Sequence, residues 1–273
     1  MRLGARGVGR GGGPEARARI WMPLDVDRVA ELPWAARQVV QARPERVLDV
    51  AGPKLLPCWL AEHIPARVLA TDLWDEEIAR WQTLLRAVDP TGQRFARLTL
   101  ETADATALPY PDGGFDSAVS VSVIEHIRGN GDTTAMGELA RVLRPGGTLV
   151  LTFPYGAEPA DVTVEHDIYG QSYEGTPLFF QRRYARDTLA NRLLVGGAFE
   201  IVERAYWNKH AVQSAQARLH RITPARWELG RALGPLLSVI GSRALTPGSP
   251  DHPGNDGVLG LVLRRSEVRG SRS

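Results

Sequence analysis

Apolar residues gather into short runs separated by longer stretches of helical period. Arg46–Val50 (RVLDV) is β-branched and apolar and lies between Pro44 and Gly52, which predicts a buried strand. Residues 67–71 (RVLAT) predict a second strand running into Asp72, and residues 95–101 a third. Phe115–Val121 (FDSAVSV) and 148–153 (TLVLTF) predict a fourth and a fifth. Between them, Asp75–Val88 repeats Ile78, Trp81, Leu84, Leu85 and Val88 at helical spacing and stops at Pro90 and Gly92. Helices are also expected over 34–41, 55–62, 133–143 and 186–195. The sequence Arg144-Pro145-Gly146-Gly147 should close the helix over 133–143, and Gly196-Gly197 the one over 186–195. Residues 199–206 alternate like a strand, and 257–263 (GVLGLVL) supply a last one. Strands alternating with helices across short loops predict an α/β fold: a Rossmann-like, doubly wound, mostly parallel seven-stranded sheet with helices on both faces.

One long connection interrupts this rhythm. Residues of about 208–255 exceed a hairpin loop, and Leu219, Ile222, Trp227, Leu229, Leu233 and Leu236 suggest amphipathic helices. With Trp207 and His210 they could form a lid over a ligand, touch a membrane or a second subunit, or pack as ordinary core.

Composition changes the picture mainly at the two ends. The formal charge of the 273 residues is +2. Residues 1–20 hold about +4 of it and 264–273 about +3, which leaves roughly −5 for the body. An acidic body with basic ends does not resemble a nucleic-acid groove, although such ends can make weak peripheral contact with an anionic membrane. The Gly/Arg-rich residues 1–20 lack a core-forming run and are expected to be disordered, as are 266–273, leaving one domain over 30–265. Met22 is an alternative initiator. Cys58 is the single cysteine, which fits a reducing cytoplasm and excludes a paired-cysteine zinc or redox site within these residues.

In open parallel sheets a ligand lies beyond the carboxyl ends of the strands, where strand order reverses. Acidic or glycine-containing segments stand at those ends: Asp49 with Ala51-Gly52, Asp72, Asp104, and Ser122 with Glu125-His126. Asp49 and Asp72 lie about 23 residues apart, near the spacing at which an acidic side chain reaches a ribose diol. The ordered segments VLDVAGPKLL, VLATDLWD, ADATALPYPDGGFDSAVSVSVIEHI and ELARVLRPGGTLVLTFPYG, over about 45–156, resemble the class I methyltransferases of the type 11, ubiquinone/menaquinone-biosynthesis-like group. Weaker similarity continues in FFQRRYARDTLANRLLVGGAFEIVER.

The resemblance implies transfer of a methyl group from S-adenosyl-L-methionine to a small-molecule acceptor, with the attacking atom left open among oxygen, nitrogen and carbon. It implies a cofactor set of Asp49, Ala51, Gly52, Lys54, Asp72, Leu73, Asp104, Ala105 and Ser122. Asp49 would fix the first loop and the cofactor ammonium. Asp72 would accept from the ribose hydroxyls, and Asp104 with the Ala105 amide would meet the adenine. No metal is implied. His126 is a candidate base, with a structural role for Glu125-His126 as the alternative; His166, beside Asp167, is a second candidate. Asp112 and Asp116, in the turn before the fourth strand, are read as structural.

One departure from the family bears on all of this. The first loop, Ala51-Gly52-Pro53-Lys54, has a single glycine, and Pro53 has no amide to donate. Either Lys54 compensates by pairing with the cofactor carboxylate, or binding is weakened. A catalytically silent scaffold on the same fold therefore stays open as the alternative. A nicotinamide dehydrogenase is disfavoured, because no GxGxxG follows the first strand.

Overall fold

The computed structural model describes residues 26–164, 177–209, 245–253 and 256–267. The expected tail over 1–20, His166 and most of the 208–255 segment lie outside these residues.

The five sequence-predicted parallel strands form as β1 (Arg46–Val50), β2 (Arg67–Asp72), β3 (Leu98–Thr102), β4 (Phe115–Val121) and β5 (Leu143–Tyr155). A hairpin of β6 (Ala160–Val164) and β7 (Leu178–Arg183) follows, then β8 (Phe199–Asn208), the two-residue β9 (Thr246–Pro247) and β10 (Gly257–Arg265). The main sheet runs β3-β2-β1-β4-β5-β10-β8-β9. The strands from β3 to β5 pair parallel, whereas β10 is antiparallel to both β5 and β8. The expected seven strands are present, and β9 adds an eighth at the edge. Strand order reverses between β1 and β4, so the crevice between their carboxyl ends is the topological switch point.

Alternation along β1 divides the core. Leu48 and Val50 face a cluster with Leu149, Leu151 and Phe153 under helix Gly131–Val142, while Val47 faces one with Val119, Trp34 and Leu60 on the opposite side. That second layer is built by α1 (Val26–Ala42) and α2 (Leu55–His63); α3 is Asp75–Val88 and α4 is Gly131–Val142. Asp49 shares the parity of Val47, so a carboxylate points into an otherwise apolar layer. At Gly260 of β10 an added Cβ would stand 2.8 Å from the Trp34 ring, so the absence of a side chain there lets α1 lie against the sheet.

Three elements depart most from the sequence expectation. Helix α1 begins well before residue 34 and continues through Pro33. Tertiary bonds hold its first turns: Asp27 pairs with Lys209, and Glu31 accepts from Ser122 at 2.6 Å. Residues 144–147 do not cap α4; the helix ends at Val142 and β5 starts at once. Phe115 pairs with Leu143 and Ser117 with Thr148, so Arg144–Gly147 bulges out, with Gly146 at φ 72°. The helix expected over 186–195 is one α turn (Arg186–Thr188) followed by a π turn (Leu189–Leu193).

Candidate cofactor and acceptor site

A cavity of about 620 Å³ opens at the switch point, within the range of small-molecule sites. Six of the nine expected cofactor residues line it: Ala51, Asp72, Leu73, Asp104, Ala105 and Ser122. They come from four different strand ends. Leu73 is 52% exposed, an unusual state for a leucine, and faces this opening. Asp104 uses Oδ1 to accept from the Thr106 amide and hydroxyl, both at 2.8 Å, which closes the turn after β3.

Backbone strain is concentrated at the same place. Ala51, just past β1, has φ 51°, and Ser122, just past β4, has φ 48°. The left-handed region costs a residue with a Cβ roughly 1–2 kcal/mol. Surrounding bonds hold both: the Ala51 amide donates to the Thr71 carbonyl at 3.1 Å, and the Ser122 amide to that of Thr152 at 2.9 Å.

The other three expected residues lie beneath the cavity rather than on its wall. Asp49 is wholly buried, and neither carboxylate oxygen has a hydrogen-bond partner of ordinary geometry. Burial pushes its carboxyl up to about 7; the Lys54 ammonium and the Gly52 amide pull it back, and Asp72 adds to the rise. Lys54 is itself buried, and its Nζ donates to Asp72 Oδ2 at 2.8 Å and to the Gly52 carbonyl at 2.9 Å. The sequence left Lys54 as a partner for the cofactor carboxylate or the loop as weakened for binding; the structure adds a partner within the protein. The lysine is committed to the carboxylate expected to receive the ribose, not directed at a ligand carboxylate.

On the far side of the cavity stands His126, in a 3-10 turn (Ile124–His126) after β4. Its Nδ1 lies 2.7 Å from the Phe180 carbonyl of β7. A carbonyl only accepts, so Nδ1 carries the proton and, in the neutral ring, Nε2 carries the lone pair. Burial depresses the imidazole pKa; the Phe180 carbonyl opposes the shift, and the Arg28 charge adds to it. Glu125 Oε1 lies 3.8 Å from Nε2. Glu125 is 1% exposed, and burial pushes its carboxyl up to about 8. His126 thus faces the cavity as a neutral ring at physiological pH.

The sequence reading missed the wall that completes this side. Val164 of β6 and Leu178, Phe179 and Phe180 of β7 supply an apolar, aromatic surface, and Trp74 and Ile127 extend it. The Phe179-Phe180 pair was the available signal, but no spacing rule ties it to β4. Arg28 of α1 also lines the cavity and holds buried Glu31 at 2.7 Å, while Glu31 accepts from Ser122. The Asp112 and Asp116 reading is consistent with their contacts. Asp116 accepts from the Glu45 and Arg46 amides and from Arg144, tying the turn to the start of β1. Cys58 is buried, and desolvation pushes its thiol up to about 12, so it is an inert core residue.

The sheet order and the cavity at its switch point define a Rossmann-like, doubly wound α/β fold. Residues 48–151 match the type 11 family model described as a methyltransferase domain. Over that segment the chain is similar to the type 11 methyltransferases. A relative named demethylmenaquinone methyltransferase, from Thermus thermophilus, is 40% identical over 134 residues, covering 46% of this chain and 56% of its own length. The chain spans about half the length of the curated relatives it matches. Among solved structures, coclaurine N-methyltransferase bound to N-methylheliamine and S-adenosylhomocysteine superposes with a TM-score of 0.55 at 12% identity, over 87% of this chain and 70% of that one. The [4+2]-cyclase SpnF superposes with a TM-score of 0.52 at 20% identity, over 86% and 79%. These two likenesses establish the fold, and the cyclase shows that the fold alone does not fix the reaction. Among the described residues no helix is long and apolar enough to cross a membrane, and no cluster of three or more potential metal ligands occurs.

Proposed function

We propose that the chain is an S-adenosylmethionine-dependent methyltransferase acting on a small-molecule acceptor. One observation carries this reading: residues from four separate strand ends, Ala51, Asp72, Asp104 and Ser122, meet around one cavity inside the segment that matches the methyltransferase family. The cavity fits the cofactor, because its floor offers a carboxylate for a diol and its rim an apolar side chain, Leu73, for a flat base. When bound, the cofactor supplies an activated methyl group. Asp72 orients the ribose end, and the turn of Asp104 and Ala105 receives the adenine.

The acceptor enters against Phe179, Phe180 and Val164. Methyl transfer is an in-line displacement, so the main task of this wall is alignment. His126 Nε2 accepts the proton that an oxygen or nitrogen nucleophile must lose, and its low pKa keeps that lone pair available near neutrality. A nucleic acid is a poor acceptor for a body of negative net charge, and the single buried cysteine suits a cytosolic protein.

The test is a thermal-shift titration with S-adenosylmethionine, S-adenosylhomocysteine and, as control, NAD. Either adenosyl ligand at about a hundredfold its Kd should stabilise the fold by about 2.7 kcal/mol, with no response to NAD. No response to any ligand overturns the reading and leaves a methyltransferase-fold scaffold.

A further inference from the structure

The floor of the cavity holds three ionisable side chains in one buried group. Asp49 and Asp72 come from the ends of β1 and β2, and Lys54 from the loop between β1 and α2. The ammonium is fixed by two hydrogen bonds, to Asp72 and to the Gly52 carbonyl, so its charge stays at the floor rather than swinging into solvent. Besides the Gly52 amide near Asp49, the loop above offers nothing else to balance two carboxylates. Pro53 has no N–H, and the Ala51 amide is spent on Thr71.

We propose that Lys54 is a positioning residue that orients Asp72 and sets the charge of the cofactor floor, and through that charge determines how the site divides its affinity between the sulfonium cofactor and its neutral thioether product. The proposal rests on the cofactor reading above. S-adenosylmethionine carries one positive charge more than S-adenosylhomocysteine, and otherwise the two differ by one methyl group. Two carboxylates without the lysine favour the cation; adding the fixed ammonium weakens that preference, because charges a few ångströms apart in a partly desolvated site act strongly on one another. The expected consequence is a site that holds its product nearly as well as its substrate.

Calorimetric Kd values for both ligands test this with the wild-type chain and three variants. Lys54→Gln should raise the ratio of Kd for S-adenosylhomocysteine to Kd for S-adenosylmethionine about threefold to tenfold. Asp49→Asn, compared at pH 8.5 where the Asp49 carboxyl is ionised, removes a negative charge with little change of shape and should lower the ratio by a similar factor. Lys54→Arg should return it towards the wild-type value. A lysine that matters only for folding would weaken both ligands equally, and an unchanged ratio in Lys54→Gln overturns the proposal. Should that variant not fold, an unchanged ratio in Asp49→Asn overturns it instead. Failure of the wild type to bind either ligand is a different result, and it removes the cofactor reading itself.

Discussion

Ala51 occupies a backbone conformation that glycine adopts without cost, at the position where the first loop passes over the cavity. A strained residue persists only where its surroundings hold it, and here the Thr71 carbonyl and the packing of β1 against β2 do so. Replacing it by glycine relieves the steric penalty but adds conformational freedom to the unfolded chain. The net expectation for Ala51→Gly is a stabilisation of roughly 0.5–1 kcal/mol, read from urea midpoints at unchanged m-value. A destabilised variant would mean that the Cβ makes contacts worth more than the strain. The poverty of glycine in this loop was plain from the residues alone. The partner of Lys54 was not, because it depends on β2 bringing Asp72 within 2.8 Å of a side chain 18 positions earlier.

At the scale of elements, legibility followed burial. Strands β1 and β4 are buried on both faces and read as continuous apolar runs, so their limits were evident. Strand β3 lies at the sheet edge with a mostly exposed pattern, and the expected 95–101 gave way to Leu98–Thr102. The β6–β7 hairpin had no such signature, since its residues are mainly half-buried and their places are set by ion pairs instead. Asp132, in the first turn of α4, is the hub. It accepts from Arg182 Nη1 at 2.8 Å, from Arg192 Nη2 at 2.7 Å and from the Tyr184 hydroxyl at 2.8 Å. Arg182 in turn reaches Asp161 of β6 at 3.0 Å. One buried carboxylate therefore anchors the strand whose Phe180 carbonyl orients His126. Asp132→Ala leaves buried Arg182 with only the exposed Asp161 as counter-charge and should cost about 3 kcal/mol. Hydrogen exchange should quicken across β7 more than across β1. By NMR titration the His126 pKa should rise towards its ordinary value as the covering strand loosens. Uniform exchange and an unmoved imidazole would show that the hairpin is held by other contacts.

For the whole molecule, the carboxylates with shifted pKa among the described residues divide into two groups with opposite dependence on pH. In Asp89, Asp116 and Asp132 burial alone would raise the carboxyl pKa, but hydrogen bonds overcome it; in Glu138 the bond from Arg141 leads. Their folded pKa values lie below the unfolded ones, so their contribution is full above about pH 4 and is lost as acid protonates them. Asp49 and Glu125 behave in the reverse sense. Their folded values of about 7 and about 8 exceed the unfolded 3.8 and 4.5, so stability falls as pH climbs through that interval and each must ionise out of water. His126, whose pKa is depressed, loses stability below about 6.5 and moves the optimum upward from the carboxylate limit. The melting temperature should therefore peak near pH 4.5–5 and decline towards pH 8.5. Glu125→Gln removes one of the two alkaline penalties. At pH 8.5 the variant should exceed the parent in stability by on the order of 2 kcal/mol, with little difference at pH 5. Parallel melting curves across that range would mean that Glu125 stays ionised in the fold, its charge balanced by Arg28 and Lys209 more fully than its burial suggests.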